Sequence, residues 1–157
     1  MKRRILVVGL GWLLTNLLVL SLAARNNFGL GAIIGEPSGI SAKLWLDNKQ
    51  AIDGALSFSF GEHSEFSFHS DYLWHRSDQF EVEQGKLLLY YGLGARIKSA
   101  DNFRLGIRAP AGLNYIFATA PLDIFLEIAP VLDLINKTEF RLTGALGARY
   151  FFFLYIK

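Results

Sequence analysis

The sequence predicts an all-β protein, a closed antiparallel up-and-down transmembrane β-barrel of about eight strands. Apolar and polar residues alternate with period two through segment after segment, which is the period of a strand with two different faces. Turn-forming residues separate these segments, and the N-terminal stretch has the pattern of an export signal. The 157 residues leave room for one such domain, and 52% apolar content is too high for a disordered chain.

The N-terminal stretch, residues 1–23, is interpreted as a secretory signal peptide, which leaves residues 24–157 as the barrel domain. Lys-Arg-Arg at residues 2–4 precedes an apolar run, and Ser-Leu-Ala at residues 21–23 supplies small residues for cleavage. The apolar run also approaches the roughly 20 residues that cross a bilayer as a helix, so a retained anchor stays the alternative. Both interpretations predict that the remainder is exported.

Composition excludes several classes of function. The formal net charge is +2 and the basic residues are scattered, so we expect no nucleic-acid partner. The chain has no cysteine, which excludes disulfides, thiolate metal sites, a cysteine nucleophile and a lipoprotein anchor.

The strands follow one another with short turns between them, and each is about as long as a tilted membrane strand requires. The clearest is 50–60, where Ile52, Leu56 and Phe58 alternate with small or polar residues. Six segments show this pattern plainly and two earlier ones show it weakly. The predicted strands are 28–35, 38–46, 50–60, 65–75, 86–98, 103–117, 122–134 and 139–152.

The two faces of these strands differ in a way that favours a membrane barrel over a water-soluble one. One face is uncharged and holds most of the large Phe, Tyr, Trp, Leu and Ile side chains, whereas the other is charged and rich in Gly, Ala and Ser. A soluble barrel would bury the apolar face, but the small residues suit a narrow lumen, so we expect the large side chains outside. Aromatic residues near the strand ends would then form girdles at the two membrane interfaces. One rim would comprise Phe58, Phe60, Phe66, Phe68, Phe103 and Phe140, and the other Tyr72, Trp74, Tyr115, Phe117, Tyr150 and Phe152.

In strand number, alternation and aromatic placement, residues 28–152 resemble the small eight-stranded barrels of Gram-negative outer membranes, of the OmpX and OmpA transmembrane-domain type. The resemblance implies a place in the bacterial outer membrane, with lipid and the barrel-assembly machinery as partners. Those proteins typically end in an aromatic residue that this machinery recognises. Here Tyr150 and Phe152 have the right alternation, but the chain continues to Lys157.

The candidate site is a network of charged side chains on the inward face. The frame Leu-Gly-x-Arg occurs at 93–96, 105–108 and 146–149, and each glycine is expected to make room for a guanidinium. Buried arginines require carboxylate partners, and Asp53, Asp71, Asp123 and Glu127 are the candidates. Lys43, Lys98, Asp133 and Glu139 are expected on the same face. The predicted network comprises Lys86, Arg96, Arg104, Arg108, Arg141, Arg149, Asp53, Glu65, Asp71, Asp123 and Glu127.

Because eight strands enclose a space just wide enough for side chains, this network is predicted to close the lumen and leave the protein a structural or membrane-integrity role. A narrow pore is the first alternative. A lipid-modifying or lipid-binding barrel is the second, based on Ser67, His69, Asp71 and His75 sharing one face of one strand. Those residues face inward and lack an oxyanion arrangement, so we expect no enzyme. Three histidines, including His63, are too few for a predicted metal site, and no cofactor is expected.

Two prolines and the lengths of the connections complete the predictions. Pro110 and Pro130 interrupt two strands at nearly the same height, which predicts a shared bulge and a loosened wall. With both termini in the periplasm, the outward connections, such as 36–37 and 99–102, are short. Short outer loops argue against an external macromolecular ligand, and the longest connection, 77–84, is predicted to be periplasmic.

Overall fold

The computed structural model describes residues 27–59 and 64–152. The predicted signal peptide, Phe60, His63 and the segment after Phe152 lie outside the described residues. No helix in the described part of the chain is long and apolar enough to cross a membrane.

The described residues form strands at the predicted positions. Eight were predicted and nine are present, because one predicted strand is divided. They are β1 (Phe28–Gly35), β2 (Gly39–Trp45), β3 (Gln50–Ser59), β4 (Glu65–Arg76), β5 (Lys86–Ser99), β6 (Phe103–Arg108), β7 (Ala111–Ile116), β8 (Leu122–Asp133) and β9 (Glu139–Phe152).

The strands pair antiparallel in a closed ring, as predicted. Neighbours in sequence pair except β6 and β7, which both lie between β5 and β8, and β9 returns to β1. The ring therefore has eight positions, one of which β6 and β7 share. We call the end with Phe28 and Phe152 the terminal mouth, and the end with the 36–38, 100–102 and 134–138 connections the distal mouth.

The break between β6 and β7 falls at Ala109 and Pro110, where the proline was predicted to interrupt the strand, and it divides the segment 103–117 that was predicted as one strand. The predicted bulge is also wrong. Arg108 opposes Val131 and Ala111 opposes Ile128, so three steps on one strand match three on the other and no residue is inserted. The wall stays bonded at the break: Ala109 N donates to Pro130 O (3.1 Å) and Gly92 N to Pro110 O (2.8 Å). Pro130 itself lies within an unbroken β8.

The outward face of the barrel is apolar over its whole height. On β8, Leu122, Ile124, Leu126 and Ile128 are exposed while the alternate residues are buried, and β9 repeats the pattern. Among the described residues, the outward positions of the strands carry one charged side chain, Arg76 at the end of β4. Its guanidinium donates to Asp78 (3.2 Å), and this hydrogen bond lowers the pKa of Asp78.

Aromatic pairs mark both ends of the outer surface, as the predicted girdles require. Phe58 and Phe66 pack near the distal mouth with ring centroids 5.1 Å apart. Near the terminal mouth, three such pairs have centroids 4.8–5.3 Å apart. These are Tyr72–Trp74, Tyr115–Phe117 and Tyr150–Phe152.

The lumen is filled partly by large apolar side chains, contrary to the expectation that large residues lie outside. One buried cluster is Ile33, Ala55, Leu73, Tyr90, Phe125 and Ala145, and a second is Trp45, Ala51, Leu88, Ile116 and Phe151. The inward glycines make this possible. A Cβ on Gly147, for example, would overlap the ring of Phe125 on the neighbouring strand.

Candidate functional site

Most of the predicted network residues point into the barrel. Arg96, Arg108, Arg149, Asp53, Asp71, Asp123 and Glu127 are 0–7% exposed. Glu65, Arg104 and Arg141 are half-buried at the distal mouth. Lys86 is exposed at the terminal end of β5, away from the ion pairs described below, so the structure does not bring it together with the others.

Arg96 illustrates how strand register selects a partner. Arg96 lies opposite Gly106 on β6, and Gly106 lies opposite Asp133 on β8, so one glycine separates the two charges. The Arg96 guanidinium crosses that glycine and donates from Nη2 to both oxygens of Asp133, at 2.8 and 3.0 Å. A Cβ on Gly106 would lie 2.6 Å from Asp133 Oδ1. Asp133 was expected inward but was not among the predicted partners of the arginines.

Arg108 follows the same rule in the middle of the lumen. Asp71, Gly94 and Arg108 are aligned across β4, β5 and β6, and Arg108 Nε lies 3.0 Å from Asp71 Oδ2 across the glycine. Arg108 also donates to Glu127. Each glycine of these two frames therefore makes room for a guanidinium, which belongs to an arginine on the neighbouring strand.

Glu127 has a second donor, which again crosses a glycine. Tyr90, Gly112 and Glu127 are aligned across β5, β7 and β8, and the Tyr90 hydroxyl donates to Glu127 Oε2 at 2.8 Å. Tyr90 also belongs to the first apolar cluster. The ion pairs and the apolar filling are therefore one packed unit.

Arg149 binds two carboxylates and one aromatic ring. Its Nε and Nη2 donate to the two oxygens of Asp123 at 3.0 and 3.2 Å, and its Nη1 lies 3.5 Å from Asp53 Oδ2. The guanidinium carbon lies 4.0 Å from the centre of the Phe125 ring. Such a bidentate, fully buried pair holds both charges in one geometry.

Lys43 lies in the same region and is 1% exposed. Its Nζ lies 2.8 Å from His75 Nε2, donates to Asn114 Oδ1 at 3.0 Å, and sits 4.3 Å from the Trp45 ring centre. Alternation placed Lys43 inward, but no sequence signal indicated an uncharged set of partners.

The distal mouth holds looser, half-buried pairs. Lys98 Nζ lies 2.8 Å from Glu65 Oε1. Arg104 and Arg141 share one carboxylate, Glu139, at 3.3 and 3.4 Å. The charges at this mouth are therefore less fully matched than those below it.

The histidine-containing strand face lies inside the barrel, and its side chains are not linked as a nucleophile and its base. Ser67, His69, Asp71 and His75 are all buried in the lumen, and His69 Nε2 lies 3.7 Å from Asp71 Oδ2, beyond hydrogen-bond distance. His75 is occupied by Lys43 and by Lys49 O. No relay from a hydroxyl to a base is therefore present among these residues.

Asp53, His69 and Asp71 do form a group whose ligand atoms all lie within 4.8 Å of one another, which the sequence did not indicate. Two carboxylates and an imidazole are a donor set that divalent metals accept. Arg149 and Arg108, however, already lie against the two carboxylates, at 3.5 and 3.0 Å. Guanidinium charges at those positions oppose a cation electrostatically.

Fold and lumen together define a class, the small closed β-barrel with an apolar exterior and a charged, packed interior. No protein-family model matches the chain, and a search of curated proteins finds no match. Among solved structures, the chain is similar to the N-terminal β-barrel domain of Pseudomonas aeruginosa OprF. The TM-score is 0.57 at 14% identity, over 80% of this chain and 97% of that domain. The resemblance to OmpA-type outer-membrane barrels is thus confirmed for the fold.

Proposed function

We propose that the protein is an outer-membrane β-barrel that seals its own lumen, with lipid as its principal contact and a structural role in the membrane. The observation that carries this proposal is that side chains fill the middle of the barrel lumen. Four inward side chains are each at most 2% exposed, whereas the lining of an open pore would be in contact with water. They are Arg149, Tyr90, Phe125 and Leu73. Salt bridges and ring packing fix these side chains, so an ion crossing the barrel would have to break several contacts at once.

The exterior supports the membrane part of the proposal. Leu126, Leu142, Leu146 and Ile128 are 47–66% exposed, and an apolar patch of this extent is costly in water. A closed ring leaves no unpaired edge, which a lipid environment requires. The predicted signal peptide supports export, and the similarity to the OprF barrel favours the outer membrane among the possible membranes.

Conductance is the decisive measurement. The full chain, refolded and added to a planar lipid bilayer, is expected to give no channel steps at voltages where a general porin gives them readily. The variant Phe125→Ala, Leu88→Ala removes two side chains that fill the lumen and provides an internal control for sensitivity. Reproducible steps from the unaltered protein would show a narrow pore instead.

The enzyme alternative has its own test. Outer membranes from cells that express the chain are expected to contain lipid A of unchanged mass. A mass change that His69→Ala abolishes would make the protein a lipid-modifying enzyme.

Density-gradient fractionation and the N-terminal sequence of the purified protein test the proposed location and the cleavage after residue 23. Recovery in the inner-membrane or soluble fraction would contradict that location.

A further inference from the structure

A cavity of about 240 Å³ opens at the distal mouth above the packed lumen. Among the described residues, its lining includes the cations Arg96, Lys98, Arg108 and Arg141 and the carboxylates Glu36 and Glu65, which is four positive charges against two negative. A neighbouring cavity shares Glu65, Lys98 and Arg141 and adds Arg104 and Asp101. The two cavities together therefore have five cations and three carboxylates in their walls, and the same positive excess of two.

The cations of this cavity are held in place from behind. Arg96 is fixed by Asp133 across Gly106, and Arg108 is fixed by Asp71 across Gly94 and by Glu127. Arg96 is 7% exposed and lines the cavity, while its Nη2 is held by Asp133. A guanidinium held in place in this way is suited to an oxyanion.

Arg141 is the cation that its surroundings neutralise least. It shares Glu139 with Arg104, which also lies 3.8 Å from Asp133, whereas Arg141 has Glu139 as its one ion-pair partner among the described residues. Arg141 Nε and Arg104 Nη1 approach different oxygens of that carboxylate, so Glu139 would keep a partner if Arg141 were lost. The hydroxyl residues Ser57 and Ser67 lie in the same cavity wall as Arg141 and add neutral polar groups.

We infer that the distal mouth is a binding site for a small oxyanion of the phosphate class, bound by Arg96, Lys98 and Arg141 above a sealed lumen. The inference goes beyond the proposed structural role and does not depend on conduction, because the cavity ends at the packed section. A free phosphate and the phosphate group of a lipid offer the same chemistry, so the experiment must separate these sources.

The test is isothermal titration calorimetry. The full chain is dissolved in an uncharged, phosphate-free detergent, and inorganic phosphate is titrated into it. Saturable binding is expected, and Arg141→Gln is expected to weaken it about tenfold or more, as loss of a charged hydrogen bond predicts. The matched control is Lys86→Gln, which removes one positive charge from the exposed cavity at the terminal mouth and is expected to change nothing. Heat-modifiable gel migration checks that both variants fold, and Lys98→Gln replaces Arg141→Gln if the latter does not.

A second arm uses vesicles of phosphatidylcholine with and without a phosphate-monoester lipid. Binding that requires this lipid and that Arg141→Gln weakens would support the same site with a lipid-borne phosphate. Absence of saturable binding in both arms, or equal weakening by Arg141→Gln and Lys86→Gln, would overturn the inference, because only general charge attraction would then remain.

Discussion

At the scale of single residues, the lumen is organised by glycines that lie between interacting side chains. Adjacent strands are about 4.8 Å apart, so partners two strands apart are separated by about 10 Å of backbone. Arginine and tyrosine span that distance only if the intervening residue has no side chain. Gly94, Gly106 and Gly112 each occupy such a position.

Gly94→Ala is therefore expected to destabilise the barrel. A Cβ there would overlap Asp71 Oδ1 and the carbonyl oxygen of Ser70, and overpacking of this kind costs about 1–3 kcal/mol. The measurement is urea unfolding in phospholipid vesicles. Gly144→Ala is the matched control, since the nearest atom to its added Cβ would be 3.8 Å away. Equal stability of the two variants would contradict this account of the inward glycines.

Arg149 tests the energetic role of the buried ion pairs. Arg149→Met keeps much of the side-chain volume but leaves Asp123 and Asp53 without their shared cation, which is expected to cost about 3–5 kcal/mol. Adding Asp123→Asn should recover part of this loss, because one uncompensated charge disappears. Arg76→Met, at an exposed pair, is expected to have little effect. If the double variant were no more stable than Arg149→Met, packing rather than charge would explain the loss.

At the scale of elements, the division between β6 and β7 is a local interruption in an otherwise continuous register. Continuing both neighbouring registers places residue 110 opposite Gly92, whose N–H already donates to Pro110 O. The second hydrogen bond of this pair is missing because proline has no N–H to donate to Gly92 O. The break therefore does not provide the lateral opening that lipid entry would need.

Pro110→Ala is accordingly expected to join β6 and β7 without altering the barrel. The new N–H should donate to Gly92 O, and a net gain of about 1 kcal/mol from this bond should roughly offset the lost ring packing. Amide hydrogen exchange is the measurement, and the new backbone amide at position 110 is expected to be protected. Rapid exchange of that amide would show that the wall is open at this point.

At the scale of the whole molecule, the apolar exterior allows the proposed membrane location to be tested. Leu126 lies opposite Leu146 near the middle of β8 and β9, whereas Leu134 follows the end of β8 at the distal mouth. Both side chains are about half exposed, at 55% and 50%. They therefore differ in their expected depth in a bilayer much more than in their burial by protein.

Leu126→Arg is expected to cost about 2–4 kcal/mol in vesicles, and Leu134→Arg only about 0–1 kcal/mol, because the cost of a lipid-facing charge depends on its depth. Urea unfolding of the two variants measures the difference. In a water-soluble barrel both leucines would simply face solvent, and equal effects would remove the membrane assignment.

The sequence by itself determined the strand positions and which face of each strand is charged. Both follow from local alternation, which a single strand already contains, and the predicted strand ends lie within one or two residues of the observed ones. At Pro110 the alternation continues unchanged through the break, so the proline, and not the alternation, indicated the interruption there.

Only the tertiary structure decided which charges meet and what else fills the lumen. The pairing of Arg96 with Asp133, the isolation of Lys86 and the contacts of Tyr90 with Glu127 and of Phe125 with Arg149 all depend on how far each strand is staggered against the next. That stagger is set by closure of the whole ring, and no single strand specifies it.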